Sequence, residues 1–242
     1  MIGSLIKTIN RVLAPIRLKV IRSHPGKLSG VNLFPDLRVL INSDSPVCLD
    51  VGANTGQTID DLLATLKSPW IYSFEPSSSV FKVLASRDYG KKVYLFNHAL
   101  GSENQEREFI NYKSSTLSSF LQLDSNKKNR FRDIEEENRE VVQIKTIDTF
   151  LSQHHIEKVD LLKVDTQGFD LDVLLGAEKA FKAGIINYVL IELNFVEMYE
   201  EQAAARDIIY LLEDNGLFLI DYYEKVRQGN TVGWCAALFG KR

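Results

Sequence analysis

Four acids sit at the ends of short apolar runs: Asp50 in Val47-Cys48-Leu49-Asp50-Val51, Glu75 in Phe74-Glu75-Pro76, Asp165 in Leu162-Lys163-Val164-Asp165, and Glu192 in Leu190-Ile191-Glu192-Leu193-Asn194. The first run continues as Gly52-Ala53-Asn54-Thr55-Gly56. An apolar strand that ends in an acid, turns through two glycines and opens a helix is a ligand-binding turn. Glycine lets the backbone approach a ligand, and free N–H groups at a helix start favour a carboxylate or phosphate. Asp50, Gly52, Ala53, Asn54 and Gly56 are therefore candidate binding positions. Glu75 can accept hydrogen bonds from both hydroxyls of a ribose, and Asn97 and Ala99, after a third run, fall where a flat base would rest at the same sheet edge. His98 between them is read either as a catalyst or ligand contact, or as a locally hydrogen-bonded histidine. Asp165 can orient an acceptor or take its proton, and Glu192 is a second candidate for the base. Lys163 is an uncommon charge for a core strand unless it is paired. Asp165, Glu192 and Asn194 could hold a divalent ion but serve an acceptor equally well, and the site is read as metal-free. His154 and His155 are adjacent, point apart and have no cysteine at ligand spacing, which argues against zinc.

The elements that must position these groups follow from periodicity. Apolar runs at 47–51, 70–75, 93–97, 159–164, 188–193, 217–221 and 234–239 predict seven strands. Between them, Ile59/Leu62/Leu63/Leu66, Val80/Phe81/Leu84, Val173/Leu174/Ala177/Phe181 and Ile208/Ile209/Leu211/Leu212 fit helices that cover a sheet. The alternation predicts an α/β domain with a doubly wound, mostly parallel sheet. Residues 222–233 are too few for a crossover helix, so the last strand should run antiparallel. The alternating segments 106–112 and 139–146 flank a polar stretch, 124–138, and predict an inserted β-hairpin with a charged loop that could act as a lid.

Ile2, Leu5, Ile6, Ile9, Val12, Leu13 and Ile16 recur at helical spacing with Lys7 and Arg11 on the flanks, and His24-Pro25-Gly26 signals a turn. The chain is read as a basic amphipathic helical extension, residues 1–45, before a domain at 46–242. Residues 1–35 hold six of the 29 lysines and arginines and none of the 32 acids. That asymmetry raises peripheral contact with a membrane through residues 1–27, or packing of the helix on the sheet domain or on a second subunit in an oligomer. The net charge of -3 gives no general attraction to nucleic acid. Cys48 and Cys235 lie in apolar runs and read as core residues of a reducing compartment. No apolar run reaches membrane-spanning length, so the expected location is cytoplasmic, with the inner membrane face as the peripheral option.

A dinucleotide fingerprint needs G-x-G-x-x-G, whereas this turn is Gly52-x-x-x-Gly56 with Asp50 ahead of it, a pattern that fits S-adenosylmethionine (AdoMet) better than NAD. From residues 47 to 239 the chain resembles the FkbM-type methyltransferases. The resemblance rests on Asp50-Val-Gly-Ala-Asn-Thr-Gly56, Phe74-Glu75-Pro76, Leu162-Lys163-Val164-Asp165-x-x-Gly168 followed by Val173-Leu174-x-Gly176-Ala177, and Ile191-Glu192. It implies a class I methyltransferase fold and AdoMet-dependent O-methylation of sugars, polyketides or other secondary metabolites, with Asp50, Gly52, Asn54, Gly56 and Glu75 at the cofactor. One position departs: the family block usually reads Asp-x-Glu-Gly, and here Gln167 replaces the glutamate, which removes a base. Ser114 to Ser119 is similar to the family's Ser-rich loop near the cofactor. The expected acceptor is a small molecule or carbohydrate. The rival readings are an NAD(P)-dependent oxidoreductase and a catalytically inactive, membrane-associated binding module.

Overall fold

The computed structural model describes residues 2–16, 18, 20, 26–124 and 135–241. Met1, Arg17, Lys19, Arg22, the His24-Pro25 part of the turn signal and residues 125–134 of the charged loop lie outside the described residues. The elements run α1 (Ile2–Leu13), α2 (Leu33–Leu40), β1 (Val47–Val51), α3 (Gln57–Thr65), β2 (Trp70–Phe74), α4 (Ser78–Ala85), β3 (Val93–Phe96), β4 (Ala99–Leu100), β5 (Gln105–Tyr112), β6 (Glu136–Lys145), α5 (Ile147–Gln153), β7 (Val159–Val164), α6 (Asp170–Leu175), α7 (Glu178–Lys182), β8 (Ile186–Asn194), α8 (Ala205–Asp214), β9 (Phe218–Gln228) and β10 (Thr231–Gly240).

Seven strands form one sheet in the order β3-β2-β1-β7-β8-β10-β9. All neighbours pair in parallel except β10, which is antiparallel to both β8 and β9. This is the predicted doubly wound, Rossmann-like sheet with its antiparallel last strand. The chain starts at the centre, winds outward to β3 and returns to lay β7 beside β1. That reversal opens a crevice beyond the carboxyl ends of β1 and β7, where sheets of this kind bind ligands.

Strand alternation splits the core into two layers. Leu49, Val51, Leu162 and Val164 face α5 to α8. Cys48 and Leu161 face α2, α3 and α4 through Leu37, Ile59, Leu62 and Leu84. The predicted hairpin is β5 paired antiparallel with β6, and β4 adds in parallel to make a small second sheet. It buries Phe109, Tyr112, Val142 and Ile144 in the main core.

Three elements differ from the periodicity. The two-turn helix α5 was hidden because its signal is a cap more than a repeat: Thr146 Oγ1 accepts from Thr149 N at 3.0 Å. The helix expected around Val173 to Phe181 is broken into α6 and α7 at Gly176. A side chain there would stand 2.0 Å from the Gly101 carbonyl, so the strand-to-helix contact admits glycine alone. The 222–233 connection is instead mostly strand, since β9 and β10 continue to a two-residue turn. From Glu224 to Arg227 both faces of β9 are exposed, and an antiparallel pair held by its ladder tolerates the polar residues that masked it.

Asp36 ties the chain ahead of α2 to β9. It is 1% exposed and accepts from Ser29 N at 2.7 Å, Gly30 N at 2.8 Å and Tyr223 OH at 3.0 Å. Burial raises its carboxyl, but the Ser29 and Gly30 amides and the Tyr223 hydroxyl outweigh burial and hold it below the usual range. Asp36→Ala should lower the unfolding free energy by about 3 kcal/mol, read by urea titration. A group depressed in the folded state stabilises above its unfolded pKa of about 3.9 and loses that contribution as pH falls, so the wild-type advantage should shrink on acidification. An advantage independent of pH would place the stabilisation in packing instead.

Candidate functional site

The crevice at the strand reversal is built by the turn after β1. Gly52 has φ 82°, and a Cβ there would lie 1.9 Å from the Asp165 carbonyl, so only glycine lets the ends of β1 and β7 come together. Gly52 N and Ala53 N both donate to Phe74 O at 3.0 Å, and Gly56 N donates to Ala53 O at 2.9 Å. The turn is thereby tied to the end of β2. Glu75 completes it: one oxygen accepts from Asn54 N and the other from Ser77 N, each at 2.9 Å. Burial pushes the Glu75 carboxyl up to about 7, against the pull of the Ser77 and Asn54 amides and the Lys163 cation.

A cavity of about 640 Å³ opens here, and Gly52, Asn54, Glu75, Ala99 and Asp165 line it. Phe74, Phe109, Phe120 and Phe169 give it apolar walls, and Ser115, Thr116 and Ser118 cross its top. Ser115 Oγ reaches Asn54 Oδ1 at 3.3 Å, joining the Ser-rich segment to the glycine turn. Glycine backbone, one carboxyl able to receive two hydroxyls, and aromatic walls suit a nucleoside with an attached amino acid.

Other expected binding residues stand off that cavity. Asp50 is fully buried on the α3 side of the sheet, where it accepts from Ser73 Oγ at 3.1 Å and lies 3.1 Å from Lys163 Nζ. Lys163, its cross-strand neighbour, donates to Gly52 O at 2.8 Å and lies 3.9 Å from Asp165 Oδ2. Burial lowers the lysine's proton affinity, but Asp50, Asp165 and Glu75 together raise it above the ordinary value, so it stays charged. Asn97 Nδ2 donates to the backbone oxygens of Glu75 and Pro76 at 2.9 and 3.1 Å and props the β2 end from behind. His98 is buried against Phe74 and Phe96, with Nδ1 3.0 Å from Ala99 O, and burial lowers its pKa. Ala53 and Gly56 shape the turn through their backbone.

Two further cavities open from the same place. One, of about 900 Å³, is lined by Lys163, Asp165, Glu192, Asp61, Glu224, Phe34 and Trp234; the other, of about 740 Å³, by Asp165, Gln167, Glu192, Met198 and Trp234. Asp165 borders all three. Gln167, at φ 53°, donates from Nε2 to Asp165 Oδ1 at 2.8 Å and accepts from Tyr199 OH at 3.3 Å. A glutamate there could not make that donation. Burial, with repulsion from Asp165 and Asp170, pushes Glu192 up to about 8. Asn194 Nδ2 touches Glu192 Oε1 at 3.2 Å and holds its orientation. The sequence pattern does not single out Trp234, which lies within the predicted last strand, Glu224, which falls in the connection read as 222–233, or Asp61 and Phe34, whose types and spacing carry no motif. Phe109 carried a usable signal, as an inward position of the predicted hairpin.

Comparison with known proteins places this geometry. A family profile described as the methyltransferase FkbM domain matches residues 50–218. The chain is 23% identical over 191 residues to the 2-O-methyltransferase NoeI of Sinorhizobium fredii, across 76% of this chain and 78% of that protein. Among solved structures, it is similar to TrmK of M. capricolum, solved with S-adenosyl-homocysteine, at 8% identity and a TM-score of 0.47, covering 86% of this chain and 67% of that one. It is also similar to Aeropyrum pernix fibrillarin with S-adenosyl-L-methionine, at 14% identity and a TM-score of 0.43, covering 83% and 68%.

Lys163→Met should destabilise the protein by about 3–5 kcal/mol, because it leaves the Asp50 carboxylate buried without its cation. Asp50→Asn in the same chain should restore most of that loss. Urea unfolding of the single and double variants measures the coupling, and strictly additive losses would show that the pair is not one unit.

Proposed function

This chain belongs to the FkbM family of AdoMet-dependent methyltransferases, and from that premise we propose that it methylates a hydroxyl oxygen of a sugar, a glycan or glycolipid, or a secondary metabolite. The meeting of three cavities at Asp165 carries this reading, since it gives a donor cleft and an acceptor cleft one shared wall. The name of the NoeI relative, a 2-O-methyltransferase, supports oxygen as the acceptor atom. The oxidoreductase alternative falls away with the family.

In this reading Gly52, Asn54, Glu75 and Ala99 hold the cofactor, Glu75 receiving the ribose hydroxyls and Asn54 meeting the amino-acid end, while Ala53 and Gly56 set the turn's backbone. Asp50 and Asn97 support that set from behind. AdoMet supplies a methyl group already activated on a sulfonium, whose leaving group is neutral. The chain's own work is then to align the acceptor and to take one proton. Asp165, fixed by Gln167, orients the acceptor hydroxyl. Glu192 takes its proton, since its raised pKa makes it an effective base near neutrality. His98, held between aromatic rings, positions the Ala99 backbone and has no direct part in the chemistry.

Glu75→Gln should weaken AdoMet binding by about 1.5–3 kcal/mol in calorimetry, with the fold unchanged. For turnover, labelled AdoMet and a panel of free sugars, glycolipids and polyketides would identify the accepting class. With a substrate in hand, wild-type kcat/KM should rise with pH up to about 8, following deprotonation of Glu192, and Glu192→Gln should abolish that limb. An unaltered profile would move the base to Asp165, and AdoMet binding with no turnover on any acceptor would favour a binding module.

A further inference from the structure

Residues 2–16, 18 and 20 make an amphipathic unit, several of whose apolar side chains the described fold leaves bare. Asn10 fixes the return of the chain, its Nδ2 donating to Val20 O at 2.8 Å and its Oδ1 accepting from Val20 N at 2.6 Å. Leu18 N also donates to Leu13 O at 3.3 Å. Both limbs present apolar side chains to solvent: Leu5 is 59% exposed, Val12 72%, Ile16 64% and Leu18 58%. Leu28 and Val31, on the way to α2, are exposed as well. Apolar groups gathered in this way mark a contact with something.

Charge identifies the occupant. Lys7 and Arg11 lie on α1 beside these side chains, the sequence from there to α2 adds Arg17, Lys19, Arg22 and Lys27, and no acid occurs before Asp36. Two copies of this surface brought face to face would set the same cations against one another. An anionic lipid surface accepts both features: acyl chains take the leucines, isoleucines and valines, and headgroups take the cations. We propose that α1, with the exposed Leu18, Leu28 and Val31 that follow it, docks the protein on an anionic membrane, with α1 lying in the interfacial plane. No helix among the described residues is long and apolar enough to cross a membrane, so the contact is peripheral. The segment leads from Val31 into α2, whose Leu33 and Phe34 line the larger acceptor cavity, so docking also sets that cavity beside the lipid.

Flotation of the full chain tests this without reference to the acceptor, so it can fail while methyl transfer stands, and the reverse. The protein should float at low salt with vesicles of phosphatidylglycerol and phosphatidylcholine in equal parts, and stay down with phosphatidylcholine alone. Each basic residue at such a surface contributes roughly a fivefold gain in partitioning, so Lys7→Glu with Arg11→Glu should lose at least about 25-fold. Val12→Asp with Ile16→Asp should abolish flotation while circular dichroism stays unchanged, both positions being exposed. Absence of flotation, equal flotation on neutral vesicles, or undiminished flotation of the Asp variant would each overturn the proposal. A dimer in light scattering that the Asp variant disperses would assign the surface to a second copy and overturn it too.

Discussion

The ion pair of Lys163 and Asp50 is the constraint on which the site depends. Both side chains are buried and both belong to central strands, so neither can be solvated if the other moves. The lysine spends its remaining donors on the Gly52 carbonyl and its remaining field on Asp165. A single cation therefore ties the glycine turn to the β7 end. Glu75 and Glu192 also feel it, and without it a cluster of carboxyls around one crevice would repel strongly. A pair of this kind adds little net stability over apolar packing, and its value lies in fixing one arrangement of the groups around it.

Gln167 shows how a small chemical change adapts that arrangement. An amide can donate to Asp165 and accept from Tyr199 at once, which a carboxylate cannot. With no acid at this position one source of repulsion around Asp165 is absent, and Glu192 is a neighbouring carboxyl that burial and nearby acids push up to about 8. The substitution that seemed to remove catalytic capacity thus orients the neighbour that remains.

Much of the fold was legible because buried parallel strands announce themselves as apolar runs and their helices as 3.6-residue repeats. The turn around Gly52 was legible for a different reason: only glycine fits a backbone in van der Waals conflict with Asp165 O. What stayed hidden was local or unpatterned. Thr146 announces α5 through one hydrogen bond, and from Glu224 to Arg227 both faces of β9 are exposed, so no inside–outside alternation marks it. Sidedness within a strand was the harder limit at the site. Asp50 and Val51 are adjacent, yet the pleat sends one to the lysine and the other to the donor cavity, and a motif cannot state which side the ligand takes.

The charge distribution completes the physical picture. Asp61, Asp165 and Glu224, with Glu192 pushed up to about 8, border the cavity proposed for the acceptor; among its described lining Lys163 is the basic residue, and it is already engaged with Asp50. An acceptor bearing phosphate or carboxylate near its reacting hydroxyl would enter against this field, whereas a neutral polyol meets carboxylates able to accept its hydroxyl hydrogens. The basic segment at 1–35 has the opposite preference. Under the proposed docking, the two preferences would separate roles: the arm would hold the headgroups, and the acidic cavity would disfavour them and leave its mouth to uncharged hydroxyls. Polarity of this kind would let one small chain sit on a charged surface without that surface competing for its acceptor site.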